Sequence, residues 1–174
     1  MTRTRRSAIV QLSTLALWLG AAAFFSLVGA PALFASLPSR TLAGAVVGRM
    51  LPPLFFSGML AGTVLAGLQL ATGEEWMKSG RVALGTTMVA ACATAQLAIA
   101  PRIDALRRAI AGAVDAVPAA DPQRTAFGRL HATSVALLGI AMLSSTIAMV
   151  VCGRAANAAA SPLGTTHESL ESID

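Results

Sequence analysis

Asp, Glu, Lys and Arg are absent from four long stretches of the chain, and these stretches set its architecture. They run from Ser7 to Ser39, Met50 to Gly73, Val82 to Pro101 and Leu130 to Gly153. A helix rises about 1.5 Å per residue, so about 20 apolar residues cross a hydrocarbon layer of about 30 Å. Each stretch meets that length. The pattern predicts an all-α integral membrane bundle of four transmembrane helices, with residues 1–153 forming one transmembrane domain. A basic start before an apolar run also describes a secretory signal, whose core is only about 7–15 residues. The run behind Arg3, Arg5 and Arg6 is much longer, so it reads as the first span, kinked at Pro31 and stopped at Pro38.

The second span is expected to reach back through Ala43 to Gly48, interrupted only by Arg49, with Pro52 and Pro53 making its entry irregular. A polar turn from Gly73 to Arg81 then leads to the third span, with Trp76 suited to the membrane interface. Beyond Pro101 the pattern changes. Ile103, Leu106, Ile110, Val114 and Val117 recur at spacings of three and four among Asp104, Arg107, Arg108 and Asp115, which predicts an amphipathic helix. Pro118 ends it, and Asp121-Pro122 reads as the cap and first residue of the next helix. Helices three and four are therefore expected to extend as a hairpin beyond the bilayer. After Gly153 the chain turns Ala-, Ser- and Thr-rich, and residues 154–174 are expected to form a flexible tail.

Composition agrees with a lipid solvent: 55% of residues are hydrophobic and 12% charged, against about 25% charged in soluble domains. The net charge of +5 does not indicate nucleic acid, because the cations flank apolar runs rather than cluster on a soluble face with base-reading groups. They read as topology signals and lipid contacts, and a bacterial cytoplasmic (inner) membrane is the expected location. Orientation stays undecided. Arg3, Arg5, Arg6, Lys78, Arg81 and Arg154 fall on one side, and Arg40, Arg49, Arg102, Arg107, Arg108, Arg124 and Arg129 on the other.

Gly44 and Gly48, and Gly58 and Gly62, form G-x-x-x-G pairs that let helices approach closely, within the bundle or in a dimer. The run from Gly20 to Ala23 suits tight packing too. Gln11, Gln69 and Gln96 each call for a partner, since an unsatisfied amide in hydrocarbon costs several kcal/mol. Ser144, Ser145 and Thr146 can return their hydroxyls to their own helix.

Four consecutive spans put Arg40, Arg49, Arg102 and His131 on one face of the bundle, with Gln96 and Ser134 within reach of the same mouth. Two readings follow: arginines that snorkel to lipid phosphate, or a small polar pocket for an anion, a metal or a headgroup. In the second, His131 acts with Arg102 and Ser134 rather than with sulfur residues. No metal-ligand spacing recurs around His131, Cys92, Cys152 or the methionines, so no cofactor is expected, with copper or haem as the alternative. Cys92 and Cys152 read as small apolar packing residues. His131 and Ser134 share a helical face without a carboxylate evidently placed to orient the imidazole, which argues against nucleophilic catalysis.

Trp18-Leu19-Gly20, Leu33 to Thr41, Leu51 to Phe56, Pro101-Arg102 and Phe127 to Ser134 together resemble the transmembrane protein 205-like family over roughly residues 10 to 150. The resemblance implies a four-helix membrane domain of poorly defined activity, linked to metal-drug tolerance in some members. Copper-resistance D-type and membrane protoporphyrinogen-oxidase proteins have a broadly similar layout. Residues carried over by position are Trp18, Gly20, Leu37, Pro38, Pro52, Pro101, Arg102, His131 and Ser134. The expected function is that of a non-enzymatic membrane protein, as an accessory subunit or a stress- or metal-tolerance module. Its expected partners are the lipid bilayer and other membrane subunits or itself. The alternative is a protein that handles a small ligand, copper or a porphyrin.

Overall fold

The computed structural model describes residues 3–72, 75–110, 117, 118 and 120–160. Helix α1 (Arg3–Phe24) passes through a π-helical turn at Phe25–Gly29 into α2 (Ala30–Ser36). Helix α3 spans Arg40–Thr72. Helix α4 (Glu75–Ala93) passes through a second π turn at Thr94–Ile99 into α5 (Ala100–Ala109). Helix α6 covers Pro122–Ala160. The described residues contain no strand, and four spans are long and apolar enough to cross a membrane: Arg6–Ser36, Arg40–Ala71, Gly80–Ala109 and Pro122–Arg154. The protein is an all-α integral membrane bundle. Each span packs on the one before it and the fourth closes against the first, so spans one and three lie on one diagonal.

Prolines shape the two broken spans in the same way. Pro31 and Pro101 each follow a π turn by two residues, and in both turns the last N–H reaches five residues back, from Ala30 to Phe25 O and from Ala100 to Ala95 O. A proline ring crowds the carbonyl four residues before it, and the wider π turn relieves that clash. Pro38 stops the first span: Leu37 is extended, at φ −89° and ψ 145°, as a residue before proline prefers. Pro52 and Pro53 behave differently from expectation. They lie inside α3, which is continuous from Arg40, because neighbouring spans brace a helix whose own ladder lacks two N–H donors.

Helix α5 ends at Ala109, and most of the remainder of the amphipathic helix expected through Val117 lies outside the described residues. Ile110 turns out of α5 at φ −78° and ψ 94°, its N–H bonded to Leu106 O, and its side chain is buried, so burial is achieved without helix. Val114 and Asp115 lie outside the described residues, as does the Trp76 side chain. Asp121 caps α6 as expected, its Oδ1 accepting the N–H groups of Gln123 at 2.7 Å and Arg124 at 3.4 Å. Helix α6 has 39 residues and is about 58 Å long, well over the hydrocarbon thickness. Most charges of the third and fourth spans, Arg102, Asp104, Arg107, Arg108, Arg124 and Arg129, lie next to their connection, while Arg81 and Arg154 lie at the opposite end. At that end α6 continues past Gly153 to Ala160, so the tail boundary expected at residue 154 falls within the helix. Residues 161–174 lie outside the described residues.

The core runs the length of the bundle through Leu15, Phe55, Leu65, Met88, Cys92 and Ala141. Its tightest helix contact joins spans two and three. A Cβ on Gly62 would sit 2.8 Å from Gly85 O, and one on Gly85 would sit 2.7 Å from Gly62 O. Gly58 faces Cys92 Sγ at 2.7 Å and Trp18 Nε1 at 2.8 Å from its hypothetical Cβ. The Trp18 indole donates to Leu54 O at 3.0 Å, which fixes span one against span two. Gly20, by contrast, faces open space. Thr146 returns its hydroxyl to Met142 O as expected, whereas the buried Ser145 Oγ has no partner among the described residues.

Gly62→Leu is expected to force spans two and three apart and to destabilise the bundle by about 1–3 kcal/mol. Gly20→Leu is expected to leave the fold unchanged. Unfolding of the two variants in detergent checks the contrast.

Candidate functional site

Two polar constellations tie the spans together, one at each end of the bundle. The first is buried and draws on all four spans. Gln11 is 2% exposed, Gln69 4% and Arg81 9%. Gln69 Nε2 donates to Gln11 Oε1 at 2.8 Å, and Arg81 Nη1 donates to Gln69 Oε1 at 3.4 Å. Gln11 Oε1 also accepts from Cys152 Sγ at 3.4 Å, and Gln11 Nε2 reaches Ser7 Oγ, one turn back on its own helix, at 3.2 Å. Spans one to four thus contribute Gln11, Gln69, Arg81 and Cys152 in order. In hydrocarbon, amides that exchange both a donor and an acceptor avoid the cost of unsatisfied groups, and a planar guanidinium can join such a chain.

The second constellation centres on Arg107, at the end of α5. Its Nη2 donates to Gly44 O at 3.0 Å, and Nη1 would lie 2.7 Å from a Cβ on Gly48. The groove between Gly44 and Gly48 therefore admits a guanidinium, where the sequence suggested a neighbouring helix backbone. Arg107 Cζ also lies 5.6 Å from the centroid of the Phe127 ring, within the range of a cation–π contact. Phe127 stacks in turn on His131, with centroids 6.4 Å apart and planes 1° from parallel. Asp104 Oδ1 approaches Arg107 Nη1 only to 4.0 Å and is well exposed, so it adds little.

The residues expected to share a ligand pocket are placed as follows. Arg40, Arg102 and His131 are exposed, Gln96 is half-buried in the second π turn, and Ser134 is buried. No hydrogen bond or ion pair among the described residues joins any two of them. Gln96 Oε1 is buried without a partner among the described residues. Arg107, five positions beyond Arg102, is the residue that reaches both α3 and α6. No group of three or more His, Cys, Asp or Glu among the described residues is placed to hold a metal ion.

Sequence reasoning singled out Gln11 and Gln69 but not Arg81, which stands at the edge of a polar turn and reads as an interfacial cation. The available signal was its position next to Val82, where the charge-free run begins. Arg107 reads from the sequence only as a polar position of an amphipathic helix, because its partner, the Gly44–Gly48 groove, is remote in sequence.

Gln11→Leu and Gln69→Leu are each expected to lower stability by about 1 kcal/mol. A double-mutant cycle measured by unfolding in detergent is expected to be non-additive. Strict additivity would show that the two amides do not act together.

No curated protein and no solved structure matches the chain. Residues 13–111 match a family described as a domain of unknown function (DUF4149). That segment holds Gln69, Arg81, Arg107 and the Gly44–Gly48 groove, and it leaves out Gln11, His131, Ser134 and Cys152. The match takes in more than half of the sequence, and the chain belongs to the DUF4149 family.

Proposed function

We propose that the protein is a non-enzymatic membrane module that works by packing against another membrane protein, as an accessory subunit or a stress- or metal-tolerance component. The observation that carries this reading is the coverage of the first span. Only 11% of its apolar window is buried inside the bundle, against 39%, 33% and 33% for the others. Leu17, Phe24 and Leu27 point outward beside Gly20, whose face is open. This span is also 31 residues long, more than a bilayer requires. The polar side chains of the two constellations, meanwhile, are engaged between helices rather than around a cavity. The likeness to transmembrane protein 205-like proteins belongs to the same reading, since Trp18-Leu19-Gly20 and Leu33 to Thr41 lie on or next to this span.

A second reading is the handling of a small ligand, copper or a porphyrin at the Arg/His face, where Arg40, Arg102 and His131 are exposed and the buried Gln96 Oε1 has no partner among the described residues.

Extraction in mild detergent followed by mass measurement tests the first reading. Wild-type protein is expected in an assembly heavier than one chain, and Gly20→Trp is expected to release the single chain while helix content stays unchanged. A single chain in both cases would contradict the accessory role. Near-stoichiometric copper or porphyrin in the purified protein, lost on His131→Ala, would favour the second reading instead.

A further inference from the structure

The register set by Arg107 brings three other arginines to the same end of the bundle. Arg107 touches Gly44 and Gly48 on span two and Phe127 on span four. Arg49 follows Gly48 directly, Arg129 lies two residues beyond Phe127, and Arg102 lies about 7 Å below Arg107 along its own helix. Each of the three borders the charge-free run of its span: Met50 to Gly73, Val82 to Pro101 and Leu130 to Gly153. These edges all fall at one end of the bundle. All three are exposed, and Arg40 and Arg108 add exposed charge beyond them.

Nothing described at this end neutralises the collar. Asp104 turns to Arg107, and Asp121 is occupied by the N–H groups that start α6. Among the described residues no ion pair involves Arg49, Arg102 or Arg129. Arg129 also borders a shallow depression whose other walls are Pro122, Thr125, Ala126 and Leu130, which leaves room for a headgroup beside it.

We infer that the collar of Arg49, Arg102 and Arg129 binds anionic phospholipid in preference to zwitterionic phospholipid. Both lipid classes offer a phosphate, but a zwitterionic headgroup carries its own ammonium, which the surplus of guanidinium repels. An anionic headgroup has no such group, and each arginine near the surface adds to its attraction. Arg129 holds the phosphate while the acyl chain descends past Leu130. Lipid selection here is separate from packing at the first span, and the two fail independently.

The full chain is reconstituted in mixed phosphatidylglycerol and phosphatidylcholine vesicles, extracted, and the lipids it retains are weighed by native mass spectrometry. Wild-type protein is expected to retain phosphatidylglycerol above its share of the mixture. Each substitution Arg49→Gln, Arg102→Gln and Arg129→Gln is expected to lower that enrichment by up to about five-fold. The pair Arg6→Gln and Arg154→Gln, at the other end, serves as control and is expected to keep it, with circular dichroism showing all variants folded. Equal enrichment in the triple variant and wild type would overturn the assignment, as would equal loss in the control pair. Lipid-indifferent retention combined with binding of a soluble acidic peptide would overturn it in favour of a protein partner.

Discussion

A polar side chain in hydrocarbon has no water to return to, and this constraint governs how Gln11, Gln69, Arg81 and Arg107 are placed in the bundle. The spans themselves satisfy their backbones internally. What then distinguishes this bundle from any other set of apolar helices is how its few polar side chains are satisfied. Gln11, Gln69 and Arg81 share donors and acceptors across three spans, and Cys152 adds the fourth. Removing one member leaves another buried without that partner, so the arrangement favours one rotation of each helix about its axis. Apolar surfaces alone specify rotation weakly, since lipid tails and leucine side chains are interchangeable neighbours.

Small residues complete the specification. Gly62 and Gly85 bring two backbones into contact, and Gly58 leaves room for Trp18 and Cys92. At the far end, Gly44 and Gly48 form a groove filled by Arg107, so a charged residue does there what a neighbouring helix does in the middle. The π turns before Pro31 and Pro101 fall at corresponding places in spans one and three, which gives the two hairpins a parallel construction. Gln96 Oε1 and Ser26 Oγ, both buried without partners among the described residues, lie in these turns.

The four spans were legible because hydrophobic length is a direct physical requirement of the bilayer. The Asp121-Pro122 start and the Pro38 stop were legible for a similar reason, since each follows from local backbone chemistry. The continuity of α3 through Pro52 and Pro53 was not, because it depends on neighbouring spans. Nor was the turn at Ile110, a residue that keeps the apolar period and is buried while its own backbone leaves the helical region. The candidate site was half legible. A glutamine in an apolar run announces that it needs a partner, and Gln11 and Gln69 prove to be each other's. An arginine at the edge of a run announces nothing beyond an interface, so neither the inward turn of Arg81 nor the docking of Arg107 could be read from the chain. Both depend on which helices are neighbours.

The pairing of Gln11 with Gln69 is the contact on which this account turns, and cross-linking in native membranes tests it most directly. With Cys92 and Cys152 changed to serine, Gln11→Cys and Gln69→Cys are combined in one chain and treated with a short bis-maleimide. An intramolecular cross-link is expected for this pair, and none for Gln11→Cys combined with Gly48→Cys at the other end of the bundle. Failure of the first pair to cross-link while both thiols react with a monofunctional maleimide would show that spans one and two do not meet there.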